Sequence, residues 1–276
     1  MLWGSLTVYW HELAGISAIG LIGQRIVWAT VVLATFATAT RRWGPLMAVA
    51  RDRRLVARIV AAAALLAVNW TSYVWAVTHD NVVETALGYF IAPLGIVAIG
   101  VLLFHEQLRR AQGYALGLAF LAVVVLTIEA GRVPFIALTL GFTWGCYGLL
   151  KRTVPLGAME SLTAETIVLL PIALVCVAVV EASDNAVRTN ASAGQLALVV
   201  GTGIITVIPL TLFAFAAPRV PFTLLGPMQY AVPTINFVLG VIVYDESLPA
   251  LRVAGFGLVW IALIVFTTDT IRSLRT

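Results

Sequence analysis

Long apolar runs broken by short polar punctuation dominate this chain. Apolar stretches occupy residues 16–40, 55–77, 82–104, 113–128, 133–150, 161–180, 195–217, 221–244 and 251–268. A helix needs about 20 such residues to cross the hydrocarbon core. Nine stretches therefore predict spanning helices. A tenth run, residues 1–10, is too short to cross alone. The breaks are charged or turn-forming: Arg41, Arg42 and a basic segment at 45–54, His79 and Asp80, Arg109 and Arg110, Lys151 and Arg152, and a polar loop at 181–194.

The pattern also repeats. Pro93, Gly100, Phe104, Glu106 and Leu108 recur as Pro233, Gly240, Tyr244, Glu246 and Leu248, each 140 residues on. Gly117 and Leu118 recur as Gly257 and Leu258, and Trp3-Gly4 recurs as Trp144-Gly145 at nearly the same spacing. The chain reads as an all-α polytopic membrane protein of ten transmembrane helices in two five-helix repeats, residues 1–130 and 131–276. The two repeats together make one membrane domain. An odd number of spans per repeat inverts the second copy, an architecture recurrent in secondary transporters. By the repeat, the first helix lacks about nine residues ahead of Trp3, roughly 14 Å of helix. The expectation is that Met1 is not the natural start, and that a longer first helix follows a cytoplasmic leader.

Composition agrees with the pattern: 61% of the 276 residues are hydrophobic and 11% are charged. The net charge of +4 does not imply nucleic acid, because the basic residues sit between spans. With the N-terminus inside, thirteen Lys and Arg fall on cytoplasmic segments and Arg132, Arg188 and Arg252 on outer ones. That bias places the chain in the cytoplasmic membrane with both termini inside. Cys146 and Cys176 lie in apolar runs, where a disulfide is not expected.

Candidate chemistry is sparse. Pro93 and Pro233 lie mid-span and displace the carbonyls of Tyr89 and Gln229. Each kink opens a turn toward a polar cavity, or is a packing kink satisfied by neighbouring helices. Asn69, Trp70 and Tyr73 share a helical face, and amide, indole and phenol suit a flat or amphipathic solute. The alternatives are helix–helix glue for Asn69 and an interfacial belt role for Trp70. Tyr89, Gln229, Tyr230 and Asn236 complete the candidate solute-binding set. Arg25 is a charge inside a span, which demands pairing or function, with Glu84 as its expected partner. Glu165 is read in the first turn of its helix, where the macrodipole favours a carboxylate; a proton-carrying role is the alternative. Glu106 and Glu246 are read as caps or loop anchors, and Gly113 with Gly117 as a close-packing motif. Tyr147 and Thr206 are isolated polar residues within spans.

The five-plus-five arrangement resembles the EamA transporters of the drug/metabolite transporter superfamily. The RarD-like branch is the one suggested by Arg25-Ile-Val-Trp28, Asn69-Trp70 with Trp75, Glu84 through Ile91, Pro93-Leu94, and Gln229-Tyr230 with Pro233-Thr234. The resemblance implies a permease or exporter of small metabolites or drugs. Where that family carries a proline and then a lysine in its first helix, this chain has Thr7 and His11.

The expected partners are a small-molecule substrate, the lipid bilayer and, as a candidate, a second copy of the chain. No cofactor, no metal and no catalytic residue is expected. An integral-membrane lipid-modifying enzyme is the competing class, but no HExxH, CxxC, Walker or nucleophile-elbow motif is present. A non-transporting scaffold would not need paired kinks or polar residues inside spans.

Overall fold

The protein is described by a computed structural model covering residues 2–104, 109–151, 153–216 and 231–273. Among these residues the structure is helical with no strand. The helices are α1 (Leu2–His11), α2 (Ala18–Ala39), α3 (Trp43–Ala50), α4 (Arg53–Thr78), α5 (Val82–Phe104), α6 (Arg110–Ala130), α7 (Phe135–Lys151), α8 (Ala158–Glu181), α9 (Val187–Asn190), α10 (Ala193–Ala216), α11 (Ala231–Val238) and α12 (Ala250–Ser273). A π-helical turn, Leu239–Val243, continues α11. Of the described helices, α2, α4, α6, α8 and α12 are long and apolar enough to cross a membrane.

Why these segments are helices is local. Ser17 caps α2 by accepting from the Gly20 N–H, and Asp52 caps α4 by accepting from Arg54 and Leu55. Gly131 ends α6 in the left-handed region at φ 64°, which a residue without Cβ adopts freely. The basic segment at 45–54, expected as loop, is instead helical up to Ala50, as the greater part of α3. Its apolar Leu46 and Val49 are buried, and burying them favours a helical turn over a solvated loop.

The packing divides into two compact units. The first joins Leu2–His79 to Cys146–Val220 and the second joins Asp80–Gly145 to Pro221–Thr276. In the first, α2 lies against α8 and α10, α4 against α8, and α1 against α4 and α10. Gly203 lets α10 meet α2 backbone to backbone, since a Cβ there would lie 2.5 Å from the Trp28 carbonyl oxygen. In the second, α6 packs on α12 and α5 on α11. Its core holds Leu87, Phe90, Leu126 and Phe256, with the Phe237 and Phe256 rings 4.7 Å apart. Among the described residues Gly113 and Gly117 make no close contact, since a Cβ on either meets none of them within 4 Å.

The outward faces are apolar. Phe120, Ile128, Ile172, Val179 and Ile242 are all largely exposed. A surface this rich in large hydrophobic side chains is a lipid-facing surface. The protein is an all-α, multi-pass membrane protein.

Candidate functional site

Inside the first unit, Arg25 is buried on α2. Its guanidinium carbon lies 4.0 Å from the Trp70 ring centroid and 5.0 Å from that of Trp10. Nε donates to Thr206 Oγ1 at 3.0 Å, and that hydroxyl donates onward to the Thr202 carbonyl at 2.8 Å. An indole face attracts a cation through its quadrupole, by about 2 kcal/mol when both are desolvated. A buried charge is thereby held beside two aromatic faces. Thr7 Oγ1 and Tyr73 Oη share a hydrogen bond of 2.8 Å, and the Tyr9 hydroxyl donates to the Leu198 carbonyl. Asn69 is buried one residue before Trp70. Four helices thus bring Trp10, Arg25, Asn69, Trp70, Tyr73 and Thr206 into one unit, three of them from the expected set of solute contacts.

The second cluster of this unit centres on Glu165, which is fully buried. One carboxylate oxygen accepts from Lys151 Nζ at 2.8 Å and from Ser161 Oγ at 2.8 Å; the other accepts from Tyr147 Oη at 2.9 Å. The macrodipole reading of Glu165 fails on position. α8 begins at Ala158, so Glu165 is its eighth residue, beyond the first turn in which the dipole acts. Glu160 is the acid of that first turn, and it pairs with Arg42 at 2.9 Å.

Glu84 belongs to the second unit and pairs there with Arg132. Its oxygens accept from Arg132 at 3.2 Å and from the Ile136 N–H at 3.1 Å. The reason is location: Glu84 opens α5, and Arg132 lies in the turn before α7, where a half-exposed guanidinium reaches it without crossing an apolar interior. Tyr89 meets Trp144 edge to face at 6.2 Å. The Asn236 amide lies 3.4 Å from Thr85 Oγ1, and Pro233 is buried on the same helix. Pro93 lies within α5. Gln229, Tyr230 and Glu106 fall outside the described residues.

Glu246 acts as the cap expected of it, accepting from the Val82 N–H at 2.5 Å and the Val83 N–H at 3.1 Å at the start of α5. Around it is a cavity of about 350 Å³, lined by Glu84, Glu129, Arg132, Glu246 and Arg252 among others. Arg252 grips Glu129 through two hydrogen bonds of 3.0 Å.

Sequence reasoning missed Trp10, Lys151 and Ser161. Lys151 read as a topology signal and Trp10 as the end of a fragment. One signal was available: Tyr147 and Lys151, like Ser161 and Glu165, are spaced by four, so each pair shares a helix face.

Known proteins resemble the chain along its whole length. It is 42% identical over 274 residues to protein RarD of Streptomyces exfoliatus, covering 99% of this chain and 87% of that protein. An uncharacterized transporter of Vibrio cholerae serotype O1 is 33% identical, covering 99% and 90%. Protein RarD of Escherichia coli (strain K12) is 31% identical, covering 99% and 93%. No protein-family model matches. One solved crystal structure of a protein shares the fold with a TM-score of 0.60 at 19% identity, over 96% of this chain and 92% of that one.

Proposed function

Because the chain belongs to the RarD-like family of drug/metabolite transporters, we propose that it is a secondary transporter. It moves a small metabolite or drug-like solute across the cytoplasmic membrane by alternating access. The observation that carries this reading is Arg25, a buried cation flanked by Trp10 and Trp70 inside an apolar helix. A guanidinium carries fixed in-plane donors, and the flanking indoles offer flat apolar walls. Planar or anionic small solutes match that chemistry. Asn69 and Tyr73 from the same unit, and Tyr89, Gln229, Tyr230 and Asn236 from elsewhere in the chain, belong to the proposed set of solute contacts.

The helix boundaries support the inverted-repeat architecture. Ala18, Arg53 and Arg110 open α2, α4 and α6, and Ala158, Ala193 and Ala250 open α8, α10 and α12, each 140 residues later. Counterparts also pack together: α2 on α8, α5 on α11 and α6 on α12. Elements related by an inverted repeat and packed on one another are what alternating access in such proteins uses. The charge bias supports cytoplasmic termini.

Sealed vesicles test the reading. Inverted membrane vesicles carrying the protein, given a cytosolic metabolite extract, should accumulate at least one solute that vesicles without it do not. Conversion of a lipid by purified protein, with no solute moved, would favour the enzyme class instead.

A further inference from the structure

Arg25 is the eighth residue of α2 and Glu165 the eighth of α8, 140 residues apart. The repeat therefore places a buried cation and a buried anion at equivalent positions of its two copies. The cation is surrounded by indoles. The anion is surrounded by groups of a different kind, and we propose that Glu165 is a proton-binding site and that a proton is the ion coupled to transport. This rests on the transporter reading above.

The donors around Glu165 suit both protonation states. Ser161 and Tyr147 are hydroxyls, which donate to a carboxylate and accept from a carboxylic acid. Ser161 Oγ, 2.8 Å from one oxygen, can reverse its role when that oxygen carries the proton, while Tyr147 goes on donating to the other oxygen. Arginine or backbone N–H groups, the usual partners of a permanently ionised carboxylate, cannot accept. The neutralising charge comes from Lys151, a point charge on a flexible stem rather than a bidentate fork.

Lys151 also supplies the route. It ends α7 and is 24% exposed while Glu165 is fully buried, so the ammonium joins the carboxylate to the helix end. One proton added to Glu165 removes the attraction for Lys151 and raises the cluster's charge by one. The lysine stem can then carry its ammonium to water, as such stems do at helix ends. That releases the tie between the last turn of α7 and α8.

Other charges near α8 are engaged elsewhere or exposed. Arg42, just past α2, pairs with Glu160, and Arg58 of α4 donates to the Thr153 carbonyl. Arg53 and Arg54 lie on the exposed first turn of α4, and Tyr73 of that helix bonds Thr7. Arg25 lies against Trp10, Trp70 and Thr206. Arg188 of α9 pairs with Glu181 at the far end of α8. α3 and α10 carry no titratable group.

Infrared difference spectroscopy of the protein in lipid nanodiscs tests the site without any solute. As the pH is varied, the wild type should gain and lose the carbonyl band of a buried carboxylic acid. Glu165→Gln should abolish that titrating band. Tyr147→Phe, which removes one donor and leaves the ion pair, should move its midpoint and serves as the assignment if the glutamine variant does not fold. A carboxylate signal that stays ionised at every pH at which the protein remains folded would overturn the proposal and make Glu165 a structural ion pair. In vesicles given the cytosolic extract, an imposed pH gradient should drive accumulation by the wild type. Glu165→Gln should equilibrate the same solute without responding to the gradient. Gradient-driven accumulation by Glu165→Gln would also overturn it. Vesicles that move nothing would fail the transporter reading, and the infrared titration would still decide the proton site.

Discussion

Arg25 and Glu84 are both charged residues of apolar helices, yet their surroundings make different demands. Arg25 is buried among indoles, so its charge has no water to retreat to. Glu84 is partly exposed and its partner Arg132 more than half so. Exposed pairs gain little, because water screens them and ordering two side chains costs entropy. A double-mutant cycle with Glu84→Gln and Arg132→Gln should therefore give a coupling below about 1 kcal/mol in detergent unfolding. A coupling of several kcal/mol would mean that the pair is shielded from water. Sequence identified Arg25 as unusual but not its surroundings. Thr206 lies 181 residues away, and no periodicity along one helix reports which distant helix faces it. Glu165 was misjudged for a similar reason. Gly157 caps α8 without a side-chain hydrogen bond, so no capping residue marked where the helix begins.

Helix positions were legible because lipid and protein interior are both apolar. The run at 16–40 became Ala18–Ala39, and that at 55–77 became Arg53–Thr78. Which face packs was not legible, because hydropathy does not distinguish lipid from a neighbouring helix, and the two glycine sites make the difference measurable. Gly203→Ala should destabilise by about 1–3 kcal/mol, the usual range for an overpacked contact, because its Cβ would meet Trp28 backbone. Gly117→Ala faces open space among the described residues and should be neutral or stabilising by up to about 1 kcal/mol through helix propensity. Thermal unfolding of both variants in one detergent checks the contrast.

Glu246 links two elements by capping α5 from the loop before α12. Burial raises its carboxyl above the ordinary value, while the Val83 and Val82 N–H groups and Arg252 pull it down and Asp80 adds to the rise. The folded state thus favours the protonated form more than the unfolded chain does. Its contribution to stability is full below the ordinary carboxylate value and is lost as pH rises through the raised one. The stability difference between wild type and Glu246→Gln should therefore shift against the wild type as pH climbs through that window. A difference constant with pH would show that the carboxyl is not perturbed.

At the scale of the whole molecule, the repeat was the most informative feature of the sequence. A single 140-residue offset relates the starts of three pairs of helices. The grouping into compact units was not legible, since each unit takes helices from both halves of the chain. The proposed topology rests on the charge bias. A cysteine at Ser183, in the segment joining α8 to α10, should react with a membrane-impermeant thiol reagent added outside intact cells. Labelling only from the cytoplasmic side would reverse the orientation.

The function proposed for this protein is to move a solute that contacts the Arg25 cluster. The direct measurement is mass-spectrometric profiling of sealed inverted vesicles given a cytosolic metabolite extract, comparing wild type, Trp70→Ala and vesicles lacking the protein at matched protein levels. Truncating Trp70 removes one aromatic wall and one cation–π contact with Arg25, a loss of about 1–2 kcal/mol in solute affinity, or roughly 5- to 30-fold. The expected result is at least one solute accumulated by the wild type, absent from control vesicles and taken up correspondingly more weakly by Trp70→Ala. Identical solute profiles with and without the protein would show that it moves no solute from the extract, and undiminished uptake by Trp70→Ala would place the solute away from the Arg25 cluster.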